Sequence, residues 1–159
     1  MKHLITITLL VVTLAASGCG QRGLKGLVKV SGTITLNGQP FEGASILFLP
    51  QTPDTRSASA LSDAGGNFQI TTLQSNDGVQ PGDYLISVSK VRLEGGTPYE
   101  ELLALGRAGR ENEIKKPTRI ESVPEKYLKA ETSGLKITVK PGRNDKLVLT
   151  LEGEPAGKR

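Results

Sequence analysis

The amino-acid sequence predicts an all-β domain, a seven-stranded antiparallel β-sandwich with a partly helical insertion before its sixth strand. Three observations predict it. Short runs alternate apolar and polar residues with a period of two, the pattern of a strand with one buried face. Turn-forming residues separate the runs, and glycine (19) and proline (9) are plentiful. Aromatic residues are only 4% of the chain and tryptophan is absent, which suits a turn-rich β protein better than a helical one.

Residues 28–36 form the first strand, with Val28, Val30, Ile34 and Leu36 on one face and Lys29, Ser31, Thr33 and Thr35 on the other. Asn37-Gly38 then supplies the positive-φ positions of a tight turn. Residues 44–49 are apolar on both faces (Ala44, Ile46 and Phe48 against Leu47 and Leu49), which predicts a central strand covered on both sides. Residues 57–61 and 67–71 flank the turn Ser62-Asp63-Ala64-Gly65-Gly66 and predict a hairpin whose inward residues are Ala58, Ala60, Phe68 and Ile70. A polar connection leads into 84–91, where Tyr84, Ile86 and Val88 share a face. Residues 135–139 and 146–151 close the domain as a last pair of strands joined through Pro141-Gly142-Arg143-Asn144.

Residues 92–131 do not read as strand, and a connection of this length carries its own structure or a function. Thr97-Pro98 starts a short helix with Glu100 and Glu101 in its first turn and Leu102, Leu103 and Leu105 as its apolar side, ending at Gly106. Residues 107–116 are charged and are expected to be mobile. Pro124-Glu125-Lys126-Tyr127-Leu128 predicts a second short turn that docks Tyr127 or Leu128 back on the sandwich.

The N-terminus carries a different signal. Lys2 and His3 precede an apolar stretch from Leu4 to Leu14, followed by small residues and Cys19, the only cysteine. This is the build of a secretory signal peptide and is too short for a confident membrane span. Ala16-Ser17-Gly18-Cys19 resembles the lipobox of bacterial lipoproteins, with Ala16 where Leu is commoner. The resemblance implies a signal peptide over 1–18, a diacylated Cys19 at the new N-terminus, and an extracytoplasmic, membrane-anchored protein on the periplasmic face or cell surface. The expected organisation is a short tether over 19–26, the sandwich over 27–152 with its insertion at 92–131, and a disordered tail over 153–159.

Charge and composition exclude several classes. The formal charge is +4, and the excess of basic over acidic residues beyond the signal region lies in 132–159, with six against three. No basic stripe with interleaved aromatics exists, so a nucleic-acid partner is not expected. Without a second cysteine no intramolecular disulfide can form, and stability must come from packing. His3, the only histidine, leaves with the signal peptide, which removes Ser-His-Asp and Cys-His catalysis and the usual zinc sites. Ser87-Val88-Ser89-Lys90 has S-x-x-K spacing, but on a strand its ends point to opposite faces. Asp63 and Asn67 read as turn-capping residues in the absence of D-x-D-x-D spacing, and Gly106-Arg107-Ala108-Gly109-Arg110 reads as linker.

The succession Val30-Ser31-Gly32-Thr33-Ile34, Gly38-Gln39-Pro40, Gly43-Ala44-Ser45-Ile46, Ser62-Asp63-Ala64-Gly65-Gly66-Asn67-Phe68 and Pro81-Gly82-Asp83-Tyr84 is similar to the carboxypeptidase regulatory-like domain. Pro124-Glu125-Lys126-Tyr127 and Thr132-Ser133-Gly134-Leu135 look like the lipoprotein branch of that family in planctomycete-type bacteria. The resemblance implies a transthyretin-like (prealbumin-like) Greek-key sandwich serving as an extracytoplasmic accessory or binding module. It implies no reaction.

The functional expectation is therefore a non-catalytic, lipid-anchored cell-envelope module that binds an envelope protein or polysaccharide, with no cofactor and no metal. Its candidate binding surface is Tyr99, Leu102, Leu103, Arg107 and Tyr127, because binding residues concentrate on loops carried by a rigid scaffold. The alternatives are a carbohydrate-binding accessory lipoprotein and a hydrolase built on carboxylates alone.

Overall fold

The structure is a computed structural model describing residues 24, 26–142, 144 and 146–158. Residues 1–18, expected to be a signal peptide, and Cys19 lie outside the described residues. The chain is mostly β. Its strands are β1 (Ser31–Leu36), β2 (Gln39–Pro40), β3 (Ser45–Pro50), β4 (Ala58–Leu61), β5 (Asn67–Gln69), β6 (Gly82–Ser89), β7 (Val91–Glu94), β8 (Thr118–Glu121), β9 (Lys136–Val139), β10 (Leu147–Leu151) and β11 (Gly157–Lys158). Two short helices, α1 (Tyr99–Arg107) and α2 (Ala130–Ser133), accompany them.

Two sheets share one core. In the first, β1 pairs with β10 on one side and with β2 and β5 on the other; in the second the order is β4-β3-β6-β9. Ile34, Phe68, Leu149 and Leu151 of the first sheet meet Ile46, Phe48, Ala58, Ala60, Tyr84, Ile86, Val88 and Val139 of the second. Phe48 packs across the layers on Phe68, with ring centroids 6.4 Å apart, and meets Tyr84 edge-on at 6.2 Å. The expected inward faces of 58–60, 68–70 and 84–88 are thus correct. Gly32 makes room for this packing, because a Cβ there would stand 2.3 Å from the Phe68 ring and 2.7 Å from the Leu147 carbonyl.

Several pairings differ from expectation. The last two strands do not pair with each other. β9 joins β6, whereas β10 crosses to the other sheet and runs parallel to β1, with Gly32 opposite Leu147 and Leu36 opposite Leu151. Alternation specifies which face is buried but not the neighbour or its direction. Residues 57–71 likewise cross between sheets: β4 pairs with β3 and β5 with β1, and only Ser59 and Thr71 bridge the two arms. Buried Ser62 fixes this crossing. Its hydroxyl donates to the Phe41 carbonyl (2.6 Å) and accepts from the Ala44 N–H (2.8 Å).

β3 is central in its sheet but is covered on one face, since Leu47 is 38% exposed and Leu61 beside it 68%. The first strand begins at Ser31, and Val28 makes an isolated bridge to Val79. Asn37 and Gly38, at φ 50° and 79°, form the expected tight turn.

The registers define two ends of the sandwich. Val28–Val79, Pro50–Tyr84, Gly82–Val139 and Gly32–Leu147 gather at one, where Gly26, Leu27, Pro81, Pro141 and Gly142 line a common hollow. Leu36–Leu151 and Ser45–Ser89 lie at the other. The insertion leaves from that second end.

Candidate functional site

Lys90 carries the chain out of β6 directly into β7, and Ser122 N–H donates to the Lys90 carbonyl at 2.8 Å to close the base of a hairpin. β7 and β8 pair antiparallel from Val91–Glu121 to Glu94–Thr118. β11 adds to the far side of β8, with Gly157 opposite Glu121. The insertion therefore contains two strands where none was expected, and the tail expected to be disordered supplies a third. Runs of four and two residues with charges at alternate positions are too short and too polar for hydrophobic periodicity to reveal them. We refer to residues 91–121 as the arm.

The tip of the arm is α1. Glu100 and Glu101 occupy its first turn and Arg107 its last, each placed to interact favourably with the helix dipole. The helix runs one residue past the expected stop at Gly106, because a solvent-exposed glycine weakens a last turn without ending it. Leu105 is buried beneath it at 8% exposure, and its carbonyl accepts from Arg110 N–H at 2.9 Å. Thr97 clamps the base of the tip. Its N–H donates to the Lys115 carbonyl (3.0 Å) and its hydroxyl accepts from Lys115 N–H (2.8 Å). Residues 111–113 form a single 3₁₀ turn, where Arg110 and Glu113 make a two-pronged ion pair with both contacts at 2.6 Å. These contacts fall within the charged stretch 107–116 that was expected to be mobile. The Glu113 carboxylate raises the pKa of the Arg110 guanidinium.

The structure brings four of the five candidate binding residues together on α1. Tyr99 is 71% exposed, Leu103 39%, Arg107 is exposed and Leu102 is half-buried. Tyr127 is a correction. It is 4% exposed, its ring belongs to the sandwich core, and its hydroxyl accepts from Glu152 N–H at 3.0 Å. The docking turn at 125–128 expected for it does form. A tyrosine with an apolar ring and a satisfied hydroxyl satisfies the requirements of a core residue, so the buried alternative prevailed.

The sequence reading missed two features of the arm. Val91 and Leu93 stand exposed on β7 at 38% and 61%, on an edge with no further strand beside it among the described residues. Glu121, at the centre of the three-stranded sheet, is 7% exposed, and its Oε2 has no hydrogen-bond partner among the described residues. Nothing in the sequence around Glu121 signals this burial.

The Asp63 carboxylate accepts from Asn67 N–H (2.8 Å) and Gly65 N–H (2.9 Å), and these contacts, led by Asn67 N–H, hold its carboxyl below the usual range. Burial pushes the Asp77 carboxyl up, but the N–H groups of Thr72, Gln74 and Leu73 together outweigh it and hold the group low. Both aspartates are thus occupied in shaping turns. Lys90 lies over the Phe41 ring at 4.9 Å, while Ser87 faces away from the core on β6 opposite Leu47, so the S-x-x-K residues do not converge. Three hollows holding a carboxylate hold one each, Asp83, Asp63 and Glu125. Among the described residues no three His, Cys, Asp or Glu side chains cluster to hold a metal ion, and no helix is long and apolar enough to cross a membrane. Compared with family models, curated proteins and solved structures, the chain matches none.

Proposed function

We propose that the protein is a non-catalytic, lipid-anchored module of the cell envelope that uses its arm to bind a partner protein or polysaccharide. In this reading the two-sheet body is a transthyretin-like Greek-key sandwich of the carboxypeptidase regulatory-like kind, anchored through diacylated Cys19. One observation carries it. The arm leaves the end of the sandwich opposite Gly26 and Val28, the residues that follow the proposed anchor, so the arm points away from the membrane. A scaffold that carries the arm at the end opposite Gly26 suits presentation, and the arm exposes Val91, Leu93, Tyr99 and Leu103 among its charged side chains.

The anchor is tested by replacement of Cys19 with Ser, which removes the acylated thiol and abolishes acyl-dependent fractionation with membranes. An intact mass showing an unmodified Cys19 would refute it. The binding role is tested by replacing 95–117 with a Gly-Ser turn and comparing proteins that co-purify from detergent-solubilised membranes. The intact arm retains a partner that the shortened arm loses; identical co-purifying sets would refute the assignment.

A saccharide reading has one observation in its favour. Tyr99 is the aromatic side chain most exposed among the described residues, and sugar faces stack on exposed rings. Tyr99→Ala then abolishes retention on the cell's own envelope polysaccharide, and retention unchanged by the substitution would refute the saccharide reading.

A further inference from the structure

We propose that β7 is a self-pairing edge, through which two copies of this chain join their arms into one six-stranded antiparallel sheet. The inference needs neither the anchor nor the envelope partner proposed above, only the arm's geometry. Because Ser122 N–H bonds the Lys90 carbonyl, the alternation of an antiparallel ladder directs the backbone groups of Arg92 and Glu94 toward β8. The N–H and C=O groups of Val91 and Leu93 then point out of the free edge. All four β7 residues are exposed, no proline blocks the strand, and the two charges it carries, Arg92 and Glu94, are of opposite sign, so they bar a strand that is not charge-matched rather than every strand.

The charges select the partner and the register. A two-fold pairing must set outward-pointing residues opposite one another, which leaves a short list of centres. A centre at Val91 sets Arg92 against the partner's Lys90. A centre at Arg92 opposes two arginines, and a centre at Glu94 opposes two glutamates. Only a centre at Leu93 sets Arg92 against the partner's Glu94, twice by symmetry, while the two Leu93 residues exchange a pair of backbone hydrogen bonds. Val91 then lies across from the partner's Gly95, which has no side chain to obstruct it, and whose φ of 68° ends the ladder there. Arg92 and Glu94 already form an ion pair within one chain, so pairing extends two exposed pairs into one four-charge ladder. An edge that is self-complementary in one register alone is matched to a second copy.

The test uses the full chain in cells, with oxidative cross-linking of Leu93→Cys. The unsubstituted chain, whose one thiol is Cys19, sets the background. In the proposed register the two residues 93 are directly opposed, whereas two residues 91 are offset by roughly 13 Å along the strands. Leu93→Cys is therefore expected to yield disulfide-linked dimer about tenfold above both the background and Val91→Cys. Added to Leu93→Cys, either Arg92→Glu or Glu94→Arg lowers the yield about tenfold, and the two together restore it to within about threefold, because only the double exchange returns opposite charges to each other. Equal yields at 91 and 93, or a yield indifferent to the charge exchanges, would overturn the pairing. Cross-links confined to other proteins would overturn it too, and would assign the edge to a strand of another chain.

Discussion

The sandwich and the arm are built from the same element, a short strand, and are held in different ways. In the sandwich Ile34, Ala44, Ile46, Phe48, Ile86, Val88 and Leu151 are fully buried, and cohesion comes from removing apolar surface from water. In the arm every residue of β7 is exposed, Leu105 and Ile120 are the buried apolar residues, and two ion pairs lie on its surface with side chains 45–65% exposed. Exposed pairs of this kind contribute little. The arm therefore rests on its backbone ladder and its attachment to the sandwich. It is the part of the molecule that opens at least cost, and the part free to change its surface.

Mutations in the two regions are expected to differ in their effects, in a definite order. Ile46→Ala leaves a cavity between the sheets and costs about 2–5 kcal/mol, while Thr33→Ala on the same sandwich costs far less; denaturant midpoints measure both. Equal costs would mean that the buried faces are assigned wrongly. Ser62→Ala strands the Phe41 carbonyl and the Ala44 N–H inside the crossing between sheets and costs about 1–3 kcal/mol. Replacing 95–117 with a Gly-Ser turn removes the tip but no residue of the shared core, so the thermal transition stays nearly unchanged. A large drop would show that the arm is a structural lid. Hydrogen exchange separates the two regions directly, with arm amides exchanging through local opening well before those of β3 and β6. Glu121→Gln replaces a carboxylate whose Oε2 is buried with no partner among the described residues, and is expected to leave the transition unchanged or raise it slightly.

Acid gives a small effect of definite sign. Asp63 and Asp77 have folded carboxyls below their ordinary value, so the unfolded chain binds more protons near pH 4. Their stabilisation is complete above the unfolded pKa of about 4 and is lost as pH falls through the folded values. Thermal transitions should hold steady from pH 8 to 5 and decline only below about pH 4, less steeply in Asp77→Asn.

The same contrast explains what could be read from the chain. Burial was legible in the sandwich because Val30, Ile34, Phe68, Ile70, Tyr84, Ile86 and Val88 sit at strand spacing with turn residues between them. Partner and direction were not, since a period of two is indifferent to whether β10 pairs with β9 antiparallel or with β1 parallel. In the arm, Glu100, Glu101 and the leucines announced α1, yet Val91-Arg92-Leu93-Glu94 and Thr118-Arg119-Ile120-Glu121 alternate without a deep apolar face. They pair because the hairpin base at Lys90 and Ser122 brings them together. Tyr99, Leu102, Leu103 and Arg107 were legible as one helical surface. Tyr127 was not separable from them by sequence, because a tyrosine suits a wet surface and a dry core equally.

The parallel seam between β1 and β10 sets the order in which the molecule can complete itself. Leu36 finds Leu151, and Asn37 exchanges hydrogen bonds with Gly153 across 116 residues, so the first strand waits for nearly the last one before one of its two flanks is covered. A contact this distant in sequence is slow to close. During synthesis the nascent chain stays open until its C-terminal segment has emerged. A ribosome that stops short of residue 147 releases a product with one side of β1 unpaired and the core side chains Leu149 and Leu151 missing, a natural substrate for proteolysis.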